Sequence, residues 1–339
     1  MKVFKRVKMI AMVLVMVFLA APMGMAGVHT EDFSDYSGYD PYKSTAKWNV
    51  HDQRLEIHPI ANPAFGASLK TLDAGGGHYF ELYIGPHGDS YGVFLQEYDM
   101  DGYPVHRAPG LLLKSNMNYF NMDAAVLTGG DIMLVWTDDD YLNIWAQRFN
   151  RSGDAAWSPV RVNHTPVGSQ VWSLKVASLP ENESVVAFID DRNGNNRAFV
   201  QRILSAGSPA WAADVQLQNM IFATESSIRV GTDDFGNIIV GWLQLVGADY
   251  DVGFTRVDLD GNVAWDPARI ANLDTTHAQN SLVMRVAPGD GIYFGWREYT
   301  GAVYRMELQK WFFDGTCATG SDFNVLSDAN NLGHASMHI

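Results

Sequence analysis

Residues 132–157 read IMLVWTDDDYLNIWAQRFNRSGDAAW. An almost unbroken apolar run, Ile132 to Trp136, leads into an acidic turn. A mixed run from Ile144 to Phe149 follows, then a Gly153 turn closed by Trp157. A short apolar run bounded by turn residues reads as a strand covered on both faces, and the mixed run as a strand with one wetter face. The stretch recurs along the chain. Gln147-Arg148 is followed at steps of 54 by Gln201-Arg202, Thr255-Arg256 and Gln309-Lys310. Trp157 is followed at the same step by Trp211 and Trp265, with Thr319 next. Trp136, Phe188, Trp242 and Trp296 mark the apolar run at steps of 52, 54 and 54. An earlier, weaker copy has Leu82 placed 54 residues before Trp136, and Gln96 and His106 placed 51 before Gln147 and Trp157.

Five copies cover residues 67–328. Each opens on a short run such as Leu174 to Ala177, Ile228 to Gly231 or Leu282 to Val286. The apolar and mixed runs follow, then a brief fourth run such as Val160 to Val162 or Phe323 to Leu326. Turn pairs such as Gly129-Gly130 and Asn193-Gly194 separate them, and no long 3.6-residue apolar period occurs after residue 26. The reading is all-β, with four antiparallel strands per repeat, and a four-stranded repeat of this length predicts a β-propeller blade. Trp157, Trp211 and Trp265 would then fill the gap between neighbouring blades. At the ends, Lys47 to Val50 and Arg54 to Ile57 read as a hairpin within residues 47–66, and Ala335 to Ile339 aligns with Ser281 to Arg285, a first strand. A sixth blade composed from both termini, with residues 329–339 as the closing strand, would remove open sheet edges. Five blades plus a hairpin, or a chain cut short, are the alternatives. Residues 27–46 read as a flexible lead and 47–339 as one propeller domain.

Lys2, Lys5, Arg6 and Lys8, the apolar run Met9 to Ala21, and Gly24-Met25-Ala26 form a signal peptide over residues 1–26. The run is too short to favour a membrane span. The expected address is periplasmic, cell-surface or extracellular, and the lysine-rich start and lack of cysteine pairs look bacterial. Removing the signal leaves 20 basic against 38 acidic residues, a net charge of −18. That balance argues against nucleic acid as a partner. Cys317 is the single cysteine, so an intrachain disulfide and a thiolate metal cluster are excluded.

The pattern Val135-Trp136-Thr-Asp138, Ile144-Trp145-Ala146-Gln147-Arg148 and Gly153 to Trp157 resembles a class of exported bacterial propeller repeats. Their copies read approximately V-W-x-D-x-R-x-G-x-x-D-I-Y-A-Q-R-x-D-x-x-G-x-x-x-W. The resemblance implies fold and export and carries no named activity.

Acidic residues gather after the second strands: Asp138, Asp139 and Asp140, then Asp190 and Asp191, then Arg297-Glu298 in the fifth copy. Asp138, Asp140, Asp190, Asp191 and Glu298 are the candidates for paired carboxylates in glycoside cleavage. Their recurrence in register favours turn-capping instead. Asp99-x-Asp101-Gly and Asp258-x-Asp260-Gly are weak candidates for calcium, since neither has a later bidentate acid. No metal-binding histidine pair on a helix, nucleophile elbow, P-loop or dinucleotide loop is present. The expectation is therefore a non-enzymatic binding or scaffold module without a cofactor, whose partner is another surface protein or a polysaccharide. The alternative is a carbohydrate-active enzyme, a glycoside hydrolase or polysaccharide lyase, using those acids on the loop face.

Overall fold

The computed structural model describes residues 44–49, 54–59, 70–107, 110–117, 121–138, 140–164, 169–217, 228–233, 235–247 and 249–328. The expected signal, most of the lead and the closing strand 329–339 lie outside them. The chain divides into two compact units, Met1–Ile60 and Ala61–Ile339. In the first, β1 (Ser44–Asn49) pairs antiparallel with β2 (Arg54–Pro59). β1 therefore begins inside the stretch read as a lead.

The second unit holds five four-stranded antiparallel sheets. The first comprises β3 (Lys70–Gly75), β4 (His78–His87), β5 (Ser90–Tyr98) and β6 (Leu111–Met117). The second comprises β7 (Met122–Val126), β8 (Ile132–Thr137), β9 (Ile144–Phe149) and β10 (Val160–Arg161). The third comprises β11 (Val171–Ser178), β12 (Ser184–Asp190), β13 (Arg197–Ile203) and β14 (Val215–Gln216). The fourth comprises β15 (Arg229–Thr232), β16 (Ile238–Val246), β17 (Asp249–Val257) and β18 (Arg269–Ile270). The fifth comprises β19 (Ala278–Ala287), β20 (Gly291–Tyr299), β21 (Tyr304–Trp311) and β22 (Phe323–Asp328). Each is a meander in chain order. The first strands of successive sheets adjoin one another, β3 beside β7, β7 beside β11, β11 beside β15 and β15 beside β19. The arrangement is propeller-like. Among the described residues the only helical element is a 3-10 turn at Pro180–Asn182.

The core lies between sheets. β8 and β12 are buried along their whole length. Their two faces serve different neighbours: Val186 and Phe188 pack toward the second sheet, Val185 and Ala187 toward the fourth. This is why the second strand reads as a continuous apolar run rather than an alternation.

The other markers of the repeat also have physical causes. In all five sheets the connection from the third to the fourth strand begins with the same tight turn. Asp99, Asn150, Leu204, Asp258 and Phe312 each donate their backbone N–H to the carbonyl four residues on. The turn needs a left-handed residue, supplied by Gly102, Gly153, Gly207, Gly261 and Gly315 at φ of 81–90°. Gln147 Nε2 donates to the Trp157 carbonyl at 2.9 Å, Gln201 Nε2 to that of Trp211 at 3.1 Å, and Thr255 Oγ1 to that of Trp265 at 2.8 Å. The buried Gln or Thr is thus what ties the closing tryptophan to its own sheet. The tryptophan rings then reach the next sheet. A Cβ on Gly207 would stand 2.6 Å from Trp157, and one on Gly315 2.8 Å from Trp265. Trp211 Nε1 donates to the Leu259 carbonyl at 3.1 Å.

The first copy differs from the sequence alignment by one residue. Tyr83 faces Phe94 as Trp136 faces Trp145, so Tyr83 and not Leu82 stands in the aromatic position.

Candidate functional site

Asp138, Asp190, Gln244 and Glu298 each lie two residues beyond the aromatic of a second strand. They hold equivalent places in successive sheets, yet their surroundings differ. Asp138 accepts the backbone amides of Leu142 and Asn143 at 2.9 and 3.1 Å, together with the Asn143 side chain. Its carboxylate is occupied in shaping the turn. Asp140 is exposed in that turn. Asp190, fully buried, accepts Arg192 in a two-pronged pair at 2.6–2.9 Å. Arg192 also pairs with the buried Asp214 at 2.8 Å, which His164 meets at 2.9 Å. Asp191 accepts the Gln170 amide at 2.7 Å.

The calcium candidates are similarly engaged. Asp99 Oδ1 accepts the amides of Asp101 and Tyr103 at 3.0 and 2.8 Å. Asp258 Oδ1 accepts those of Asp260 and Asn262 at 2.9 and 2.8 Å, and its Oδ2 the Asn262 side chain at 2.8 Å. Desolvation raises the Asp258 carboxyl, but these bonds together outweigh it and hold the group below the usual aspartate range.

Glu298 is different. It is 2% exposed and its carboxylate makes no hydrogen bond to any described residue. Its nearest partners are more distant, Arg305 at 3.6 Å and His277 Nδ1 at 3.9 Å. Burial, then the charges of Asp274 and Glu307, push its carboxyl above the usual glutamate range, against His277 and Arg305. A second acid shares its face. Trp296 pairs with Glu307 and Glu298 with Arg305 across β20 and β21, so all four side chains lie on one side of the sheet. The two glutamates are diagonal neighbours, a spacing of about 7–8 Å between Cα atoms. Glu307 is 6% exposed and is anchored by Asn324 Nδ2 at 2.8 Å. Burial raises its carboxyl too, against Asn324 and Arg305.

Gln279 of β19 pairs with Glu298 and completes the face. Its Nε2 donates to the Asp274 carbonyl at 2.9 Å. Its buried Oε1 has no partner among the described residues, and neither has the buried Trp296 Nε1. Buried polar atoms are almost always satisfied, so one open acceptor and one open donor beside two carboxyls suit a hydroxylated ligand. Phe294 and Trp296 of this face pack with Leu243, Val252 and Phe254 of the fourth sheet. The cluster therefore crowns the seam between the fourth and fifth sheets. Asp274 and His277, from the β18–β19 connection, complete it. One ligand atom each from Asp274, His277 and Glu298 lies within 4.8 Å of the others, a spacing that a cation could share. Asp274 Oδ1 is already taken by Thr276, whose hydroxyl and amide bonds lower its carboxyl.

Of the five acids expected from sequence, the structure sets Glu298 in a multi-acid cluster, buried beside Glu307, Gln279 and Trp296. Asp138, Asp190 and Asp191 are engaged in turns or ion pairs. Sequence reading missed Glu307, Gln279, Asp274 and His277. Glu307 had a usable signal: the preceding copies carry Trp145, Phe199 and Gly253 at its register position.

No protein-family profile and no curated protein matches the chain. Solved structures do. A puromycin-hydrolysing peptidase from Mycobacterium tuberculosis aligns at 15% identity and TM-score 0.49, covering 83% of this chain and 43% of its own. This chain thus spans under half the length of that peptidase. An α-L-arabinofuranosidase from Fusarium graminearum aligns at 12% identity and TM-score 0.46, covering 79% and 86%. An α-L-arabinanase from Penicillium chrysogenum aligns at 10% and TM-score 0.44, covering 72% and 78%. The expectation of a non-enzymatic scaffold is corrected here. The solved structures that align include arabinofuranosidases, an arabinanase and a galactanase beside the puromycin hydrolases. Within this chain, the buried Glu298 and Glu307 lie beside one unsatisfied acceptor and one unsatisfied donor.

Proposed function

We propose that this chain is an exported carbohydrate-active hydrolase acting on a polysaccharide, with the five sheets as blades of one propeller. The observation that carries the reading is the pair Glu298 and Glu307 on one face of the fifth sheet. Glycoside hydrolysis needs one carboxyl that is protonated near neutral pH and a second that is ionised. Glu298 suits the acid. It is buried, lacks a hydrogen-bond donor that would favour its charged form, and faces two further acids. Glu307, fixed by Asn324, suits the base or nucleophile. Gln279 Oε1 and Trp296 Nε1, buried and without a partner among the described residues, can accept from and donate to a sugar hydroxyl that reaches them. His277 and Arg305 flank Glu298 and steady the charge that appears there after proton donation.

The test is reducing-sugar release from a panel of neutral and acidic polysaccharides by residues 27–339. Glu298→Gln and Glu307→Gln should each abolish release without lowering the melting temperature. Release that neither substitution alters, or none from the whole panel by the folded wild type, overturns the reading.

A further inference from the structure

The connection between β18 and β19 is tied down on all sides. The backbone amides of Leu273 and Asp274 donate to the Asp322 carboxylate at 2.9 and 3.0 Å. Asn272 Nδ2 and Gln279 Nε2 both donate to the Asp274 carbonyl, at 2.8 and 2.9 Å. The Thr276 amide and hydroxyl donate to Asp274 Oδ1 at 2.9 and 2.6 Å. These bonds occupy Oδ1 and leave Oδ2 turned toward His277 Nδ1, at 3.4 Å. His277 Nδ1 in turn stands 3.9 Å from Glu298 Oε1. The ties of the connection thus aim an imidazole and a carboxylate at a third ligand-type group on β20.

One ligand atom from each of the three lies within 4.8 Å of the others. Donors around a tetrahedral zinc ion stand about 3.3–3.6 Å apart, given bonds of about 2.0–2.2 Å. Asp274 and His277 already hold that separation, and Glu298 lies at most about 1.5 Å beyond it. A second observation points to a ligand independently of the acids. Gln279 is fully buried, its amide lies against the Asp274 carbonyl, and its Oε1 has no partner among the described residues. A buried carbonyl oxygen so placed is a ready fourth donor. Asp274 and His277 are half-buried while Glu298 and Gln279 are buried, so an ion enters from the side of the connection.

We propose that Asp274, His277, Glu298 and Gln279 bind one zinc ion, and that the ion silences the site by occupying the Glu298 carboxylate. The imidazole selects zinc over calcium and magnesium, which take oxygen donors. Thr276 stands outside the donor set and fixes the Asp274 carboxylate for its task. Binding needs only these residues. Silencing rests on the hydrolase reading, in which Glu298 supplies a proton to the leaving oxygen; a carboxylate that ligates zinc has no proton to give.

The experiment titrates chelator-stripped residues 27–339 with zinc chloride in a calorimeter, with no sugar present. One ion should bind per chain. Asp274→Asn and His277→Gln should each weaken binding at least about 100-fold, and Thr276→Val by about 10–100-fold, the cost of losing an outer partner. Cys317→Ser, which removes the one free thiol, should leave binding unchanged. Melting curves in chelator establish that each variant is folded. Cobalt(II) in place of zinc should give the visible bands of a four-coordinate ion, lost in His277→Gln. Zinc at about ten times its Kd should cut reducing-sugar release about tenfold, and chelator should restore it. No saturable zinc binding, binding that Asp274→Asn and His277→Gln leave unchanged, or binding of calcium or magnesium in preference to zinc overturns the site, whether or not the chain releases sugar. Zinc bound at the site with release unaltered overturns the silencing alone. A chain that binds zinc there and hydrolyses nothing upholds the site and overturns the silencing together with the hydrolase reading.

Discussion

Gly207→Ala probes the packing that joins one sheet to the next. Gly207 sits at φ +84°, and a Cβ there would stand 2.6 Å from the Trp157 ring of the preceding sheet. Two costs follow. A left-handed non-glycine residue costs about 1 kcal/mol. Forcing a methyl into a filled interface costs about 1–3 kcal/mol more, since the indole is held by its backbone tie to Gln147. The total is about 2–4 kcal/mol. Gly194→Ala is the control. Gly194 has nearly the same backbone, φ +79°, but nothing within 4 Å of the added Cβ. Only the backbone cost of about 1 kcal/mol applies there. Melting temperatures should fall by about 4–8 °C for Gly207→Ala and about 2 °C for Gly194→Ala. Equal falls would refute the claim that Trp157 fills the gap between two sheets.

Asp190→Ala should lower stability by about 1–3 kcal/mol, because it strips the half-buried Arg192 of its two-pronged partner and leaves Asp214 alone with it. Reducing-sugar release by the folded protein should not change, as Asp190 lies outside the proposed site; both quantities can be read from one preparation. Glu298 and Glu307 also predict a pH dependence of stability. Both carboxyls are raised in the folded chain. Their stabilising contribution is therefore complete below the unfolded glutamate value, about 4.3, and is lost as pH rises through the folded values. Between pH 5 and 7.5 the wild type should lose more melting temperature than the Glu298→Gln/Glu307→Gln double variant, whose amides do not titrate; parallel curves would contradict the burial argument.

The propeller-like order was legible because its cause is periodic. Val185 to Ile189 must be apolar on both faces, since each face meets a different sheet. Gln201, Trp211 and Gly207 recur because a tie, a plug and a left-handed turn are needed in each sheet. Ile144–Phe149, read as the mixed run, has those same bounds in the structure. The one-residue slip at Leu82 arose because the first copy spaces its markers differently, and Tyr83 gave no tryptophan to align on. The site was harder to see for the opposite reason. Glu298 sits in a repeated acidic position, where Asp138 and Asp190 do turn and ion-pair work. What separates it is that its partners, Arg305 and His277, stand at 3.6 and 3.9 Å rather than in hydrogen bonds, and sequence does not display distances. Asp274, His277 and Gln279 come from a connection and a strand start that follow no pattern. The Asp190–Arg192–Asp214–His164 network joins residues 50 apart that only the stacking of sheets brings together.

The assignment of Glu298 as proton donor is tested most directly by leaving-group dependence. A general acid contributes about 10²–10⁴ in rate when the departing oxygen needs a proton, and little when it does not. The measurement is kcat/KM of wild type and Glu298→Gln on the polysaccharide found in the panel and on a dinitrophenyl glycoside of the same sugar. The account predicts a loss of at least about 10²-fold on the polysaccharide and a much smaller one on the activated glycoside. An equal loss on both substrates would contradict it, and would place Glu298 in a role other than proton donation.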